Sequence, residues 1–249
     1  HAARGRFTTH RRGTGRGGAP AQLAAPWGWD VACDAMTIKR VGILGSGIMG
    51  SGIAEVVAKA GHDVVLRSRQ KETADATLGS LEKSLAKQVA KGKLEQSAAD
   101  ETIARITTTG DLTDLADCDL VIESIVEDLD HKRAHFIELD KIVKADAILA
   151  TNTSTLPVVE MAAATQRPDK VCGVHFFNPA PVMSLVEIVR ALTTSDETIT
   201  EVTAFAEACG KNPVEVKDRA GFIVNALLFP YLNNAVRMLE NGTASADDI

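Results

Sequence analysis

The side chains best suited to chemistry in this chain are a histidine and a glutamate, His175 and Glu187, each on a short apolar segment. Histidine changes its charge near neutral pH, so it suits the removal of a hydroxyl proton while a hydride leaves the carbon of an alcohol. A carboxylate beside it would hold one ring tautomer and stabilise the imidazolium that forms. Ser154 and Asn225 could donate hydrogen bonds to the reacting oxygen. Together the four residues indicate hydride chemistry at an alcohol carbon.

A glycine-rich turn predicts a dinucleotide site. Residues 45–50 read GSGIMG, which is the pattern G-x-G-x-x-G placed directly between a predicted strand and a predicted helix. Gly45 permits the tight turn, Gly47 lets the backbone approach a pyrophosphate, and Gly50 lets helix and strand pack closely. The helix N-terminus adds free N–H groups and a partial positive charge. We expect contacts to NAD or NADP throughout this turn, including Ser46, Ile48 and Met49. The alternative is a glycine-rich turn with a purely structural role.

The residue that selects the cofactor is unusual. An acid is expected at the end of the second strand, where it binds the ribose 2′-hydroxyl. Asp63 lies at the wrong end of that strand, and the far end carries Ser68 between Arg67 and Arg69. We expect Ser68 and Arg69 to contact the cofactor. Two interpretations stay open: a preference for NADP, whose 2′-phosphate the arginines would attract, or sequence drift at a site that still binds NAD.

Each candidate also has a structural interpretation. A histidine at a strand end is often a packed, hydrogen-bonded residue, and Glu187 could face water. Ser154 and Asn225 could cap turns or helices. The combination favours catalysis, because all four residues fall where a nicotinamide ring would lie, beyond the carboxyl ends of the strands.

Strands and helices must alternate to bring these residues together. Short apolar runs predict strands at 40–44, 64–66, 120–122, 148–150, 171–174, 185–189 and 213–216. Helical spacing predicts helices at 48–60, 72–91, 97–105, 132–143, 195–209 and 222–240. This alternation predicts an α/β fold, a Rossmann-like doubly wound and mainly parallel sheet, followed by the truncated start of an all-helical domain.

Composition limits the remaining possibilities. Residues 1–35 are rich in Gly and Arg, so we predict a disordered arm outside any domain, a dinucleotide-binding domain at 36–219, and an incomplete helical domain at 220–249. The net charge of −6 argues against nucleic acid, and no apolar run reaches the roughly 20 residues of a membrane span. The four cysteines have no metal-ligand spacing, so we expect reduced thiols, no metal and a cytoplasmic protein.

Four segments closely resemble the 3-hydroxyacyl-CoA dehydrogenase family, and in particular its bacterial 3-hydroxybutyryl-CoA dehydrogenases: GSGIMGSGIAEVVAKAGHDVVL, NTST, HFFNPAPVMSLVEIV and GFIVNALLFPYLNNAVRMLE. The likeness covers residues 39–249, and HFFNP with a downstream GF-x-VN is highly specific. It implies that the chain interconverts (3S)-3-hydroxyacyl-CoA and 3-oxoacyl-CoA. The expected hydroxyacyl substrate is 3-hydroxybutyryl-CoA. The implied redox partner is NAD or NADP, in fatty acid β-oxidation or butanoate metabolism.

The resemblance also implies roles for individual residues. His175 would be the base, Glu187 its partner, and Ser154 and Asn225 the groups that polarise the substrate. The further cofactor contacts would be Glu127, Lys132, Asn152 and Asn178. The coenzyme A contacts would be Ser84, Lys91 and Ser154.

The chain departs from the family in two places, and other interpretations stay open. The first departure is Ser68, which replaces the usual acid. The second is that the family's helical domain extends beyond residue 249. We therefore expect an exposed apolar face on the helix at 222–240, poor solubility, and a homodimer formed by the complete parent. One alternative is a non-catalytic dinucleotide-binding protein resembling lambda-crystallin. Another is the dehydrogenase part of a multifunctional β-oxidation protein. A dehydrogenase of the 6-phosphogluconate type shares G-x-G-x-M-G, but nothing here resembles its lysine-based catalytic segment.

Overall fold

The computed structural model describes residues 38–249, so the predicted arm at 1–35 lies outside the described residues. The strands are β1 (Arg40–Leu44), β2 (Asp63–Arg67), β3 (Ile106–Thr109), β4 (Leu120–Glu123), β5 (Ile148–Thr151), β6 (Val171–Phe176), β7 (Leu185–Arg190) and β8 (Asn212–Lys217). The helices are α1 (Ile48–Lys59), α2 (Lys71–Ala90), α3 (Gln96–Ala104), α4 (Leu129–Ile142), α5 (Val158–Ala162), α6 (Asp196–Ala208) and α7 (Val224–Glu240). Short 3-10 turns lie at Thr113–Leu115 and Pro168–Lys170.

The strands form one sheet in the order β3-β2-β1-β4-β5-β6-β7-β8. Every neighbouring pair is parallel except β6 and β7, which run antiparallel. The chain winds outward from β1 in one direction and from β4 in the other, so the strand order reverses between these two strands. A reversal of this kind opens a crevice at the carboxyl ends of the strands. The predicted doubly wound, mainly parallel sheet is confirmed.

Apolar side chains fill both faces of the sheet. One core cluster packs beneath α1, α2, α3 and α6, and a second packs beneath α4 and α5. Strands β4 and β5 are buried along their whole length, so their sequences are apolar rather than alternating up to the last residue, which is Glu123 in β4 and Thr151 in β5. Each parallel strand therefore ends in the same rigid edge, from which the polar site residues project.

The last helix, α7, packs differently from the others. It buries none of its residues, and its apolar side chains stay exposed, Leu227 to 70% and Tyr231 to 72%. This matches the apolar face expected on this helix. None of the helices within residues 38–249 combines the length and apolar character needed to cross a membrane.

Candidate functional site

A cleft of about 980 Å³ opens at the carboxyl ends of the parallel strands, where the strand order reverses. Most of the predicted site residues line it: Gly45, Ser46, Gly47, Ile48, Met49, Ser68, Arg69, Glu127, Asn152, Ser154, His175, Asn178 and Asn225. The structure thus brings together residues that span 180 positions of sequence, from Gly45 to Asn225.

The glycines of the turn have three different roles. Gly45 has φ +114°, and a Cβ there would lie 2.3 Å from the Ser124 carbonyl oxygen. A Cβ on Gly50 would lie 1.9 Å from the Gly45 carbonyl oxygen, so Gly50 lets α1 meet the turn without lining the cleft itself. A Cβ on Gly47 would meet no atom within 4 Å, because that position faces open space in the cleft.

His175 and Glu187 are direct cross-strand partners on the antiparallel pair β6–β7. The His175 Nδ1 lies 2.7 Å from the Glu187 Oε2, and the two side chains are 7% and 1% exposed. Because Nδ1–H donates to the carboxylate, Nε2 is the ring nitrogen available to a ligand. The rings of Phe177 and Phe222 lie 4.5 and 5.6 Å from the imidazole, centroid to centroid, and limit its rotation.

The second oxygen of Glu187 binds the start of the last helix. Glu187 Oε1 accepts hydrogen bonds from the backbone N–H groups of Ile223 and Val224, at 2.9 and 3.0 Å. These are amide groups that a helix N-terminus leaves without partners, and a carboxylate is favourable there. Glu187 therefore orients the imidazole and anchors α7 at once.

Ser154 and Asn225 are 71 residues apart in the sequence but adjoin in the cleft. The Asn225 Nδ2 lies 3.4 Å from the Ser154 carbonyl oxygen. Ser154 is held in turn by Glu127, whose Oε1 accepts its backbone N–H at 2.9 Å and lies 3.3 Å from its hydroxyl. Burial raises the pKa of Glu127, but the hydrogen bonds from Thr153 and the Ser154 amide, with the charge of Lys132, bring that pKa below its ordinary value.

Lys132 is predicted to contact the cofactor, but the structure places its ammonium beneath the cleft, 1% exposed and outside the lining. Its Nζ lies 2.7 Å from Glu123 Oε1 and 3.3 Å from Glu127 Oε2. Glu123, which the motifs did not single out, is fully buried and also accepts from the Thr151 hydroxyl and the Ile125 amide, both at 2.7 Å. We name these three charged side chains, Glu123, Glu127 and Lys132, the buried triad.

Of the three predicted coenzyme A residues, Ser154 lines this cleft, whereas Ser84 and Lys91 do not. Ser84 lines a second cavity of about 600 Å³, which shares Ser46, Gly47 and Ile48 with the first. Lys91 is exposed at the C-terminal end of α2 and lines neither cavity.

Three lining residues that the motifs did not single out are His131, His135 and Phe177, while Arg67, noted beside Ser68 in the sequence, lines the cleft as well. The spacing of four between the two histidines could have shown that they share one face of α4. Residues 38–249 contain no group of three His, Cys, Asp or Glu side chains able to hold a metal ion.

Comparisons with known proteins extend the likeness over most of the chain. The family model "3-hydroxyacyl-CoA dehydrogenase, NAD binding domain" matches residues 40–219, and the model of the family's C-terminal domain matches residues 221–249. The 3-hydroxybutyryl-CoA dehydrogenase of Clostridioides difficile is 44% identical over 210 residues, which cover 84% of this chain and 75% of that enzyme. The human mitochondrial hydroxyacyl-coenzyme A dehydrogenase is 44% identical over 219 residues, covering 85% of this chain and 69% of that enzyme.

A solved structure agrees. The (S)-3-hydroxybutyryl-CoA dehydrogenase from Ralstonia eutropha superposes with a TM-score of 0.83 at 39% identity, covering 86% of this chain and 75% of that one. The resemblance that the motifs indicated, bacterial 3-hydroxybutyryl-CoA dehydrogenases included, is therefore confirmed. The chain belongs to the 3-hydroxyacyl-CoA dehydrogenase family.

Proposed function

We propose that this chain interconverts (3S)-3-hydroxyacyl-CoA, and 3-hydroxybutyryl-CoA in particular, with 3-oxoacyl-CoA, using NAD or NADP. The observation that carries the proposal is the buried His175–Glu187 pair, 2.7 Å apart, at the wall of a cleft that begins at the glycine turn. The relatives are a 3-hydroxybutyryl-CoA dehydrogenase and a hydroxyacyl-coenzyme A dehydrogenase, which supports the substrate class.

The residues of the turn fit a dinucleotide. The open space at Gly47 admits a pyrophosphate against the backbone, and the N-terminus of α1 directs free N–H groups toward it. The cleft volume of about 980 Å³ is at the upper end of the range for ligand sites. When bound, the nicotinamide accepts the hydride from an alcohol or donates one to a ketone.

His175 moves the proton in this scheme. Its Nε2 takes the hydroxyl proton as the C3–H bond of the substrate breaks, and the imidazolium later releases that proton to solvent. In the reverse direction the imidazolium gives the proton to the new alkoxide. Glu187 keeps Nδ1 protonated and stabilises the cation, so the correct nitrogen faces the substrate.

Ser154 and Asn225 polarise the substrate. Both line the cleft, and their side chains can donate hydrogen bonds to the C3 oxygen and the thioester carbonyl. The hydroxyl of Ser154 makes only a long contact of 3.3 Å with Glu127, so a substrate oxygen can replace it. The backbone N–H of Ser154 stays bound to Glu127, which keeps the residue in place.

Helix α2 offers a path for coenzyme A. Ser84 lines the second cavity, and Lys91 follows seven residues later on the same helical face, about 10 Å further along. We expect Lys91→Glu to raise the KM for acetoacetyl-CoA and to leave the KM for its N-acetylcysteamine thioester unchanged. An equal rise for both thioesters would remove Lys91 from the coenzyme A path.

The central test is the reduction of acetoacetyl-CoA, followed by the loss of nicotinamide absorbance. His175→Gln should abolish turnover while dinucleotide binding, measured by fluorescence, persists. Glu187→Gln should lower kcat by about 10²–10⁴-fold, because it removes the charge that stabilises the imidazolium. Glu207→Gln, an exposed acid on α6, is the matched control and should retain full activity. Binding without turnover in the unmodified chain would instead support the non-catalytic alternative.

A further inference from the structure

The end of the cleft next to β2 is rich in basic side chains. Arg67 and Arg69 line it from the end of β2, and His131 and His135 line it from α4. Among all the residues that line the cleft, the single acid is Glu127, which is bound to Ser154 and Lys132. A cleft that held an unmodified ribose through a carboxylate would have an acid at the β2 end.

Arg67 has an unused donor in this region. Its Nε is buried and makes no hydrogen bond, which is uncommon for a buried polar atom. Within residues 38–249, neither Arg67 nor Arg69 has a carboxylate oxygen within 4 Å of its guanidinium, although Glu138 and Asp111 act on Arg67 from further away. The guanidinium groups therefore remain available to an anion in the cleft.

Ser68 is fixed between these two arginines. Its backbone N–H donates to the Thr109 carbonyl oxygen at 3.0 Å, which ties the residue to the end of β3. In the part of the chain that the structure describes, its hydroxyl has no hydrogen-bond partner. A serine here offers a neutral donor, whereas an acid would repel a phosphate.

The two histidines complete the basic wall. They lie one helical turn apart, and each has a local acid: the Nδ1 of His131 is 3.0 Å from Asp128 Oδ1, and the Nδ1 of His135 is 3.2 Å from Glu138 Oε2. In both rings the carboxylate lies on the Nδ1 side, but the buried His135 Nδ1 makes no hydrogen bond, so its ring N–H is not committed to that acid.

Resting on the proposed function, we infer that this end of the cleft binds the 2′-phosphate of NADP(H), and that the enzyme prefers NADP(H) to NAD(H). Ser68 and the guanidinium groups of Arg67 and Arg69 hold the phosphate, with His131 and His135 on the α4 side. Guanidinium groups suit this role because their planar donors match phosphate oxygens.

Direct binding tests the inference without relying on turnover. Isothermal titration should give a Kd for NADPH at least about tenfold below that for NADH, the scale of one charge-assisted hydrogen bond. The fragment 2′,5′-ADP should bind more tightly than 5′-AMP by a similar factor. Inorganic phosphate at equal concentration should compete only weakly, because it lacks the adenosine. If phosphate competes as well as 2′,5′-ADP, the basic wall is a general anion site and the inference fails.

Substitutions assign the preference to residues. Arg69→Gln should raise the Kd of NADPH about tenfold and leave that of NADH unchanged. Ser68→Asp should reverse the preference. Arg133→Gln is the matched control: it removes the same charge from an exposed position of α4 that does not line the cleft, and should leave the ratio of the two Kd values unchanged.

The outcomes separate this inference from the function on which it rests. Reduction of acetoacetyl-CoA by NADH at equal or higher kcat/KM than by NADPH, with NADH bound at least as tightly, overturns the cofactor preference alone. Binding of neither dinucleotide, or reduction by neither, overturns the proposed function itself.

Discussion

Replacing Lys132 by methionine tests whether the buried triad holds the site together. Methionine keeps the length of the side chain but removes its charge, which leaves the fully buried Glu123 carboxylate without a cation. Removing one partner of a buried ion pair costs about 3–5 kcal/mol. Glu123 keeps hydrogen bonds from the Ile125 amide and the Thr151 hydroxyl, so we expect the low end of that range, about 3 kcal/mol. For a chain of this size the loss corresponds to a Tm lower by about 6–12 °C.

Urea unfolding followed by circular dichroism measures this loss, and a double-mutant cycle isolates its cause. Glu123→Gln combined with Lys132→Met removes both charges of the pair, so the double variant should lose less free energy of unfolding than the two single variants added together. Lys71→Met is the matched control. Its partner Asp75 is exposed, so the loss there should stay below about 1 kcal/mol.

One pair of results would refute this reasoning. If Lys132→Met unfolds within about 1 kcal/mol of the unmodified chain and instead raises the Kd of the dinucleotide, then Lys132 contacts the cofactor directly and the buried triad does not support the fold.

Three further predictions concern the turn, a buried histidine and the thiols. Gly47→Ala should keep the Tm and weaken dinucleotide binding, because its methyl group would enter the cleft. Gly50→Ala should lower the Tm, because its methyl group would meet the Gly45 carbonyl oxygen. Equal Tm values for the two variants would contradict this prediction. Burial lowers the pKa of His62 below its ordinary 6.5, despite the bond to the Ile38 carbonyl. The unfolded ring therefore takes up a proton first, so the free energy of unfolding should fall as the pH drops below 6.5. His62→Gln should reduce the difference between the urea midpoints measured at pH 8 and at pH 5.5. An unchanged difference would contradict the role given to His62. In a Cys33→Ser variant, Ellman's reagent should label no thiol at pH 7.5 before unfolding, because burial raises the pKa values of the three remaining thiols to about 11 or 12. Prompt labelling would contradict this prediction. Those thiols belong to Cys118, Cys172 and Cys209.

The elements that were predicted are those with a strong apolar period. Strand β3 was missed because its sequence, Ile followed by three Thr, is largely polar and lies at the edge of the sheet. Helix α5 was missed because five residues are too few to show a helical period. The glycine turn was predictable because each glycine has a local steric reason that the motif encodes.

The contacts between residues that are distant in the sequence could not be predicted from the sequence alone. The pairing of His175 with Glu187 depends on the register of the only antiparallel pair within the described sheet, which no local pattern specifies. The burial of Lys132 depends on Glu123, nine residues earlier, entering the same space from the end of β4. The division at residues 219 and 220, the arm at 1–35, the homodimer, the metabolic pathway and the cytoplasmic location stay predictions.

The Glu187 carboxylate, which orients the His175 imidazole, also binds the N-terminus of α7. Its two oxygens divide the work, one toward the imidazole of His175 and one toward the amides of Ile223 and Val224. A tilt of α7 would therefore displace the Glu187 carboxylate, and with it the His175 ring whose Nε2 accepts the proton. Substitutions at Ile223 or Val224, neither of which lines the cleft, should therefore alter proton transfer without a direct contact to the substrate.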